Sequence, residues 1–345
     1  MLFYSTLWGQ SYGGLSIDND LFFGKDYYYS SGIFLQYGTT KNGREKPLNN
    51  EDLFKIEPAI KKRIHWTLGQ QIYNPIGRYD SITTSMDYPF SGYLFLERAV
   101  SRTLKNKEVF RWSAQLGISG PGSLSEPFQN TYHKYILGLP PLSWVGQQPG
   151  NIHLGLLGQY TNYLTLGQVN QFSYQIQSQW GTHSSQSSVS GGIHIGQINP
   201  MVFYSEAFHH PTKEGFGAYI GLQYRYHFQD YNLSGSLFEN NSPFTLPSNS
   251  WRNTWLAGMG YQINQWQFLA VAKARSKDTP GQKYQRHQVF RAAGAELLDG
   301  EAPPKVIISE YMEVASAFYP EGKEAKFVNA VLDHMARSTK PEAFP

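Results

Sequence analysis

QFSYQIQSQW, residues 171–180, alternates along its whole length. Phe172, Tyr174, Ile176 and Trp180 fall on one side of an extended chain, and Gln171, Ser173, Gln175, Gln177 and Gln179 on the other. Successive side chains of a strand point to opposite faces, so this is a strand with one apolar face. A polar face in bulk water usually carries Lys and Glu. Here it carries Gln and Ser, and the apolar face is aromatic, which suits a polar lumen and a lipid-facing wall. VFRWSAQLGI (109–118) sets Phe110, Trp112, Leu116 and Ile118 against Arg111, Ser113 and Gln115. GAYIGLQYRYHF (217–228) sets Ile220, Leu222, Tyr224, Tyr226 and Phe228 against Gly221, Gln223, Arg225 and His227.

The pattern extends in both directions. Strands are expected near 13–20, 30–40, 62–73, 91–104, 108–118, 151–166, 168–181, 184–197, 215–229, 252–264 and 265–275. Bacterial barrels use even strand numbers, so a twelfth is expected, beginning at KYQRHQ (283–288). The fold class is therefore all-β, an antiparallel transmembrane barrel. Long connections at 41–61, 74–90, 119–150 and 230–251 read as outer loops, and short ones such as 264–266 as periplasmic turns.

Bulk composition agrees. The 345 residues carry 29 Lys plus Arg against 26 Asp plus Glu, a balance that gives no electrostatic reason to expect a nucleic-acid partner. Charged residues are only 16%, while aromatics reach 15%. Without Cys there is no disulfide, thiolate metal site or Cys nucleophile. No stretch of about 18 apolar residues predicts a transmembrane helix, and a mean hydropathy of −0.45 is compatible with a barrel whose lumen is polar. MLFYSTLWGQSYGG reads as the end of a secretory leader over residues 1–12.

The alternation stops after Gln288. Ile307, Tyr311, Val314 and Phe318 recur at helical spacing behind Pro303 and Pro304, and a second stripe runs through Phe327, Val331 and Leu332. With the twelfth strand cut short at Gln288, poor assembly is expected unless VFRAAGAEL is drawn into strand pairing.

Two places could carry chemistry. Asp18, Asn19 and Asp20 end the first strand, and Ser30 and Ser31 open the second. Such hard oxygen donors suit Ca²⁺, and equally suit a turn. In GPGSLSEPFQNTYHKYILG, a helix would set Gln129 and His133 on one face, where the His could be a general base or a surface residue. His209 and His210 read as loop residues. P-loop, GxSxG and HExxH patterns do not occur.

SIDND with DYYYSSG, GQQIYNP, MDYPFSGYLFL, GISGPGSLSEPFQNTYHKYILG and the following Trp144 and Gln147 resemble the lipid A 3'-O-deacylases, LpxR-like twelve-stranded outer-membrane barrels. The resemblance covers about residues 13–288. It implies a Ca²⁺-dependent ester hydrolase that removes the 3'-linked acyloxyacyl chain of lipid A. Catalytic positions would fall on Asn19, Asp20, Ser30, Gln129 and His133, with Asn19, Asp20 and Ser30 holding Ca²⁺ or orienting the His and the water, and Arg78 as the nearest substrate-binding cation. It also implies lipopolysaccharide in the outer leaflet and the barrel assembly machinery as partners, and no nucleic acid. The chain departs from the pattern at Leu139, where the family can carry an acidic residue, and that departure motivates a catalytically silent, structural or pore-like alternative. Residues 289–345 resemble a fragment of NusB, the transcription antitermination factor, most specifically in KFVNAVLD (326–333). Read from that tail alone, the chain would be an RNA-binding protein.

Overall fold

The computed structural model describes residues 10–19, 28–42, 61–80, 86–104, 108–167, 170–197, 214–263, 266–282 and 285–294, and the single positions Ser309 and Asp333. Asp20, the leader over 1–9, His209, His210 and both helical stripes of the tail lie outside the described residues. The barrel unit comprises residues 1–125 and 143–293, and residues 126–142 belong to a second unit.

Among the described residues twelve antiparallel strands form a closed barrel. They are β1 (Gln10–Asn19), β2 (Tyr28–Asn42), β3 (Lys61–Asn74), β4 (Ser91–Thr103), β5 (Val109–Ser119) and β6 (Ile152–Thr165). β7 (Asn170–Gly181), β8 (Ser184–Gly196), β9 (Gly215–Asp230), β10 (Trp251–Ile263), β11 (Trp266–Arg275) and β12 (Gln285–Gly294) complete it. Each strand pairs with its sequence neighbours, and β12 returns to β1. Two short helices, α1 (Ser125–Tyr132) and α2 (Tyr231–Ser234), lie in connections. No helix among the described residues is long and apolar enough to cross a membrane.

The burial of the strands is inverted relative to a water-soluble protein. Ile176 is 54% exposed while its neighbour Gln175 is 2% exposed. Trp112, Leu116, Ile220 and Trp255 face outward, whereas Arg63, His65, Thr67, Arg111, Ser113 and Thr161 are buried. The exposed apolar faces meet lipid, and the polar faces satisfy one another inside. Tyr12 Oη and His65 Nδ1 are 2.9 Å apart, Thr67 Oγ1 and His65 Nε2 are 3.0 Å apart, and Arg111 pairs with Glu97. Buried polar groups need such partners.

The last strand is longer than the alternation indicates. Val289–Gly294, read from sequence as part of the tail, completes β12. Its residues pair with β1 as Asn19↔Gln288, Asp18↔Val289, Ile17↔Phe290, Ser16↔Arg291 and Leu15↔Ala292. Phe290 thus falls opposite apolar Ile17 and Arg291 opposite polar Ser16, so four more residues of the required period lie beyond the apparent break.

Antiparallel order sends alternate connections to opposite ends. Connections 20–27, 75–90, 120–151, 182–183, 231–250 and 276–284 leave one end. Connections 43–60, 104–108, 166–169, 197–214 and 264–265 leave the other, where Gln10 and Gly294 also lie. The long connections expected on one side are therefore split: 43–60 leaves the opposite end from 75–90, 120–151 and 231–250.

Candidate active site

The end of β1 and the start of β2 are adjacent by register, with Asn19 opposite Ser31 and Asp18 opposite Gly32. Between β2 and β3 the register slips from Tyr29↔Tyr73 to Ser31↔Ile72, leaving Ser30 as the extra residue of a bulge. Bulges re-aim side chains and recur beside active sites. Ser30 is buried, and Tyr28 just before it holds φ of 66°, a left-handed conformation costly for a bulky residue. Tyr28 is locked there by full burial and by its hydroxyl, which donates to Asp87 at 2.6 Å.

Asp18 separates from the acidic run. Its Oδ2 accepts from Tyr29 Oη at 3.1 Å and lies 3.9 Å from Lys273 Nζ, inside the lumen. Its Oδ1 is buried without a hydrogen-bond partner among the described residues.

Gln129 and His133 occupy the 126–142 segment, one helical turn apart. Both are nearly inaccessible, at 4% and 2% exposure, and Gln129 Oε1 has no hydrogen-bond partner among the described residues. At His133 the α-helix widens into a π-helical turn, His133–Leu137, a distortion frequent at functional sites. The His133 carbonyl accepts from the N–H groups of Gly138, at φ of 66°, and Leu139, at 2.9 Å. Asn130 clamps the far side: its Oδ1 accepts from Leu142 N–H at 2.7 Å, and its Nδ2 donates to Leu142 O at 3.4 Å. Leu139 is exposed, at 39%.

The GPGS turn that delivers α1 is tightly built. Gly120 has φ of 64°, and a Cβ there would sit 2.6 Å from backbone atoms of Pro149 and Gly150. Ser123 Oγ donates to Gly120 O at 2.6 Å, and Gln70 Nε2 donates to Ser123 O at 2.8 Å. Arg78 lies in the connection after β3, not in a strand. Its carbonyl accepts from Ser143 N–H at 3.1 Å, and its guanidinium lies 5.2 Å from the Tyr79 ring centre. The sequence reading thus divides between two units. Ser30, Arg78 and the backbone of Asn19 lie in the barrel unit, whereas Gln129 and His133 lie in the second.

Sequence reasoning missed a buried cluster within the loop-rich end of the barrel. His183 stacks on Tyr93 at 3.7 Å between centroids and touches His153 and Tyr231 edge or tilted. Tyr231 Oη donates to Pro149 O at 2.7 Å, and Gln148 Nε2 donates to Asn232 O at 3.1 Å. Arg252 holds Asp230 at 2.8 Å and Asp278 at 3.0 Å. Tyr28, Tyr88 and Leu233 pack together. No motif announces these partners, because residues remote in sequence meet only after the barrel closes, as Ser91 and Asn232, 141 positions apart, do at 2.7 Å.

His183 gives this cluster a pH dependence. Burial, reinforced by the neighbouring His153, pushes its imidazole well below the usual range. In the unfolded chain it takes up a proton below about pH 6.5, whereas in the barrel it stays neutral, so stability falls as pH drops below 6.5. We expect the melting temperature of the detergent-folded barrel to decline between pH 7 and 5, and His183→Phe to flatten that decline. An unchanged slope in the variant would reject the assignment.

The chain matches the family described as "Outer membrane protein LpxR" over residues 4–291, and the NusB family over residues 268–337, the two overlapping across β11 and β12. The fold is similar to that of LpxR from Salmonella typhimurium, with a TM-score of 0.66 at 18% identity, covering 82% of this chain and 99% of that one. Residues toward the C-terminus are similar to transcription antitermination protein NusB of Rhodospirillum rubrum (54% identical over 57 residues, 16% of this chain and 30% of that protein). NusB of Maricaulis maris is 47% identical over 57 residues, 16% of this chain and 35% of that protein. The chain thus spans about a third of the length of these curated relatives. With the family match running from before β1 into β12 and through both stretches that carry the candidate residues, this chain belongs to the LpxR family of outer membrane proteins.

Proposed function

We propose that this outer-membrane barrel modifies lipid A, and specifically that it hydrolyses the ester of the 3'-linked acyloxyacyl chain in the outer leaflet. Family membership supports the substrate class. The observation that carries the chemistry is His133, a buried imidazole pinned at a π-helical turn one helical turn from Gln129. His133 takes a proton from water as the oxygen adds to the ester carbonyl carbon. It returns that proton to the sugar oxygen as the acyl C–O bond breaks, leaving a sugar hydroxyl and a free acid. The Gln129 amide, one turn away, orients the water or donates to the oxyanion. Arg78 is offered to an anionic group of the substrate.

The donor chemistry fits Ca²⁺. Asn19, Asp20 and Ser30 supply hard oxygens, and register brings the end of β1 beside the start of β2. When bound there, Ca²⁺ supplies positive charge for an oxyanion. Insertion by the barrel assembly machinery is part of the same proposal.

The test incubates the detergent-folded chain with lipid A and reads its mass spectrum. Loss of the 3' acyloxyacyl mass is expected with Ca²⁺, and its disappearance with a chelator, reversed by Ca²⁺ but not Mg²⁺. Intact lipid A under all conditions would favour the silent barrel that Leu139 motivates. The NusB similarity supports a second reading, RNA binding, which saturable binding of an antitermination RNA by the full chain would favour.

A further inference from the structure

We propose that the barrel lumen holds a site for a small oxyanion of the phosphate type, built by β9, β10 and β11 and separate from the ester chemistry. The strand registers place Arg225 directly opposite Arg252, and Arg275 directly opposite Thr254. Like charges in cross-strand register repel one another. Arg252 is neutralised: it holds Asp230 and Asp278, and its Nε and Nη2 donate to Asn249 O and Ser248 Oγ. Arg225 Nη2 donates to the neutral hydroxyl of Thr254 at 2.6 Å. Arg275 lies over the Tyr29 ring at 5.3 Å, with no carboxylate at ion-pair distance among the described residues and with Nε buried and unbonded.

His227, two residues beyond Arg225 on the same face, adds the second observation. Both its ring nitrogens are buried and neither has a hydrogen-bond partner among the described residues. An imidazole always presents at least one N–H donor, and leaving that donor unmet in a barrel interior is unfavourable. Arg225, His227 and Arg275 all border a luminal cavity of about 240 Å³. The cavity wall carries Arg111, Arg225, Arg252, Lys273 and Arg275 against Asp18, Glu97, Asp230 and Asp278. The acidic residues are committed to Tyr29 and Lys273, to Arg111, and to Arg252. A tetrahedral oxyanion presents several acceptors to forked guanidinium donors and an imidazole N–H. The cavity has room for the anion and a few waters, and none for an acylated disaccharide.

The test uses the full chain folded in detergent and inorganic phosphate as probe. Melting temperature is followed by tryptophan fluorescence against phosphate concentration, with chloride at matched ionic strength as reference. At phosphate well above its dissociation constant we expect a rise of about 5 °C over chloride. Arg275→Gln and His227→Phe are expected to abolish that rise. Arg275→Gln should not lower the phosphate-free melting temperature, since it removes an uncompensated cation, whereas a purely structural arginine would lower it. Equal melting temperatures in phosphate and chloride, or a phosphate response that survives Arg275→Gln, would overturn the site. Should the variants fail to fold, equilibrium dialysis of radiolabelled phosphate against the wild-type barrel decides: saturable binding near one per chain supports the site, and its absence overturns it. Anionic phospholipid added to the micelles separates the sources, because a stabilisation unaffected by free phosphate belongs to headgroups on the outer wall and overturns the luminal site.

Discussion

His133→Ala is expected to lower the deacylation rate by a factor of about 10²–10⁴, the range that positioned general bases contribute. The variant should still migrate as a folded, heat-modifiable barrel, because His133 lies in the 126–142 segment and takes no part in the strand ladder. His133→Gln, which keeps polarity and approximate size but has no basic nitrogen, should be as slow as alanine. Gln129→Ala should lose less, about tenfold, as expected of a group that orients but transfers no proton. The assay is the lipid A mass spectrum over time at fixed enzyme concentration. Retention of more than a tenth of the wild-type rate by both His133 variants would remove the imidazole from the mechanism.

The second large effect concerns closure. A chain stopped after Gly294 should insert and resist detergent at room temperature, whereas one stopped after Gln288 should not. Residues 289–292 supply four of the five register pairs between β12 and β1, from Asp18↔Val289 to Leu15↔Ala292. Without them the backbone of β1 faces lipid unpaired, at several kcal/mol for each unsatisfied group. That exceeds what a domain of ordinary stability can absorb. Gel mobility with and without boiling separates the two chains, and equal heat resistance would show that β12 beyond Gln288 is dispensable.

The strands were legible because lipid and lumen demand opposite chemistry at every second position. The expected 215–229 and the observed Gly215–Asp230 differ by one residue. The exception is β12, where Val289, Phe290, Ala292 and Ala293 alternate too weakly against Arg291 to look like a strand. Only the register with β1 reveals it. In the candidate site, Ser30 was legible as a residue type but its bulge was not, since a bulge belongs to a pair of strands. Asp18 looked equivalent to its acidic and amide neighbours in sequence, yet its carboxylate is held by Tyr29 and Lys273 inside the lumen. Asn130, His183 and Arg252 stayed invisible because their partners are remote in sequence or backbone atoms.

An even number of strands returns the polypeptide to the side from which it entered. Gly294, the last residue of β12, therefore lies at the same end of the strand ladder as Gln10, the first residue of β1. Export of β1 to β12 carries the NusB-like segment across the inner membrane as well. A copy that has reached its place in the envelope has left ribosomes, RNA polymerase and nascent transcripts behind. Any meeting between that segment and RNA would have to precede secretion, in the interval when the barrel does not yet exist.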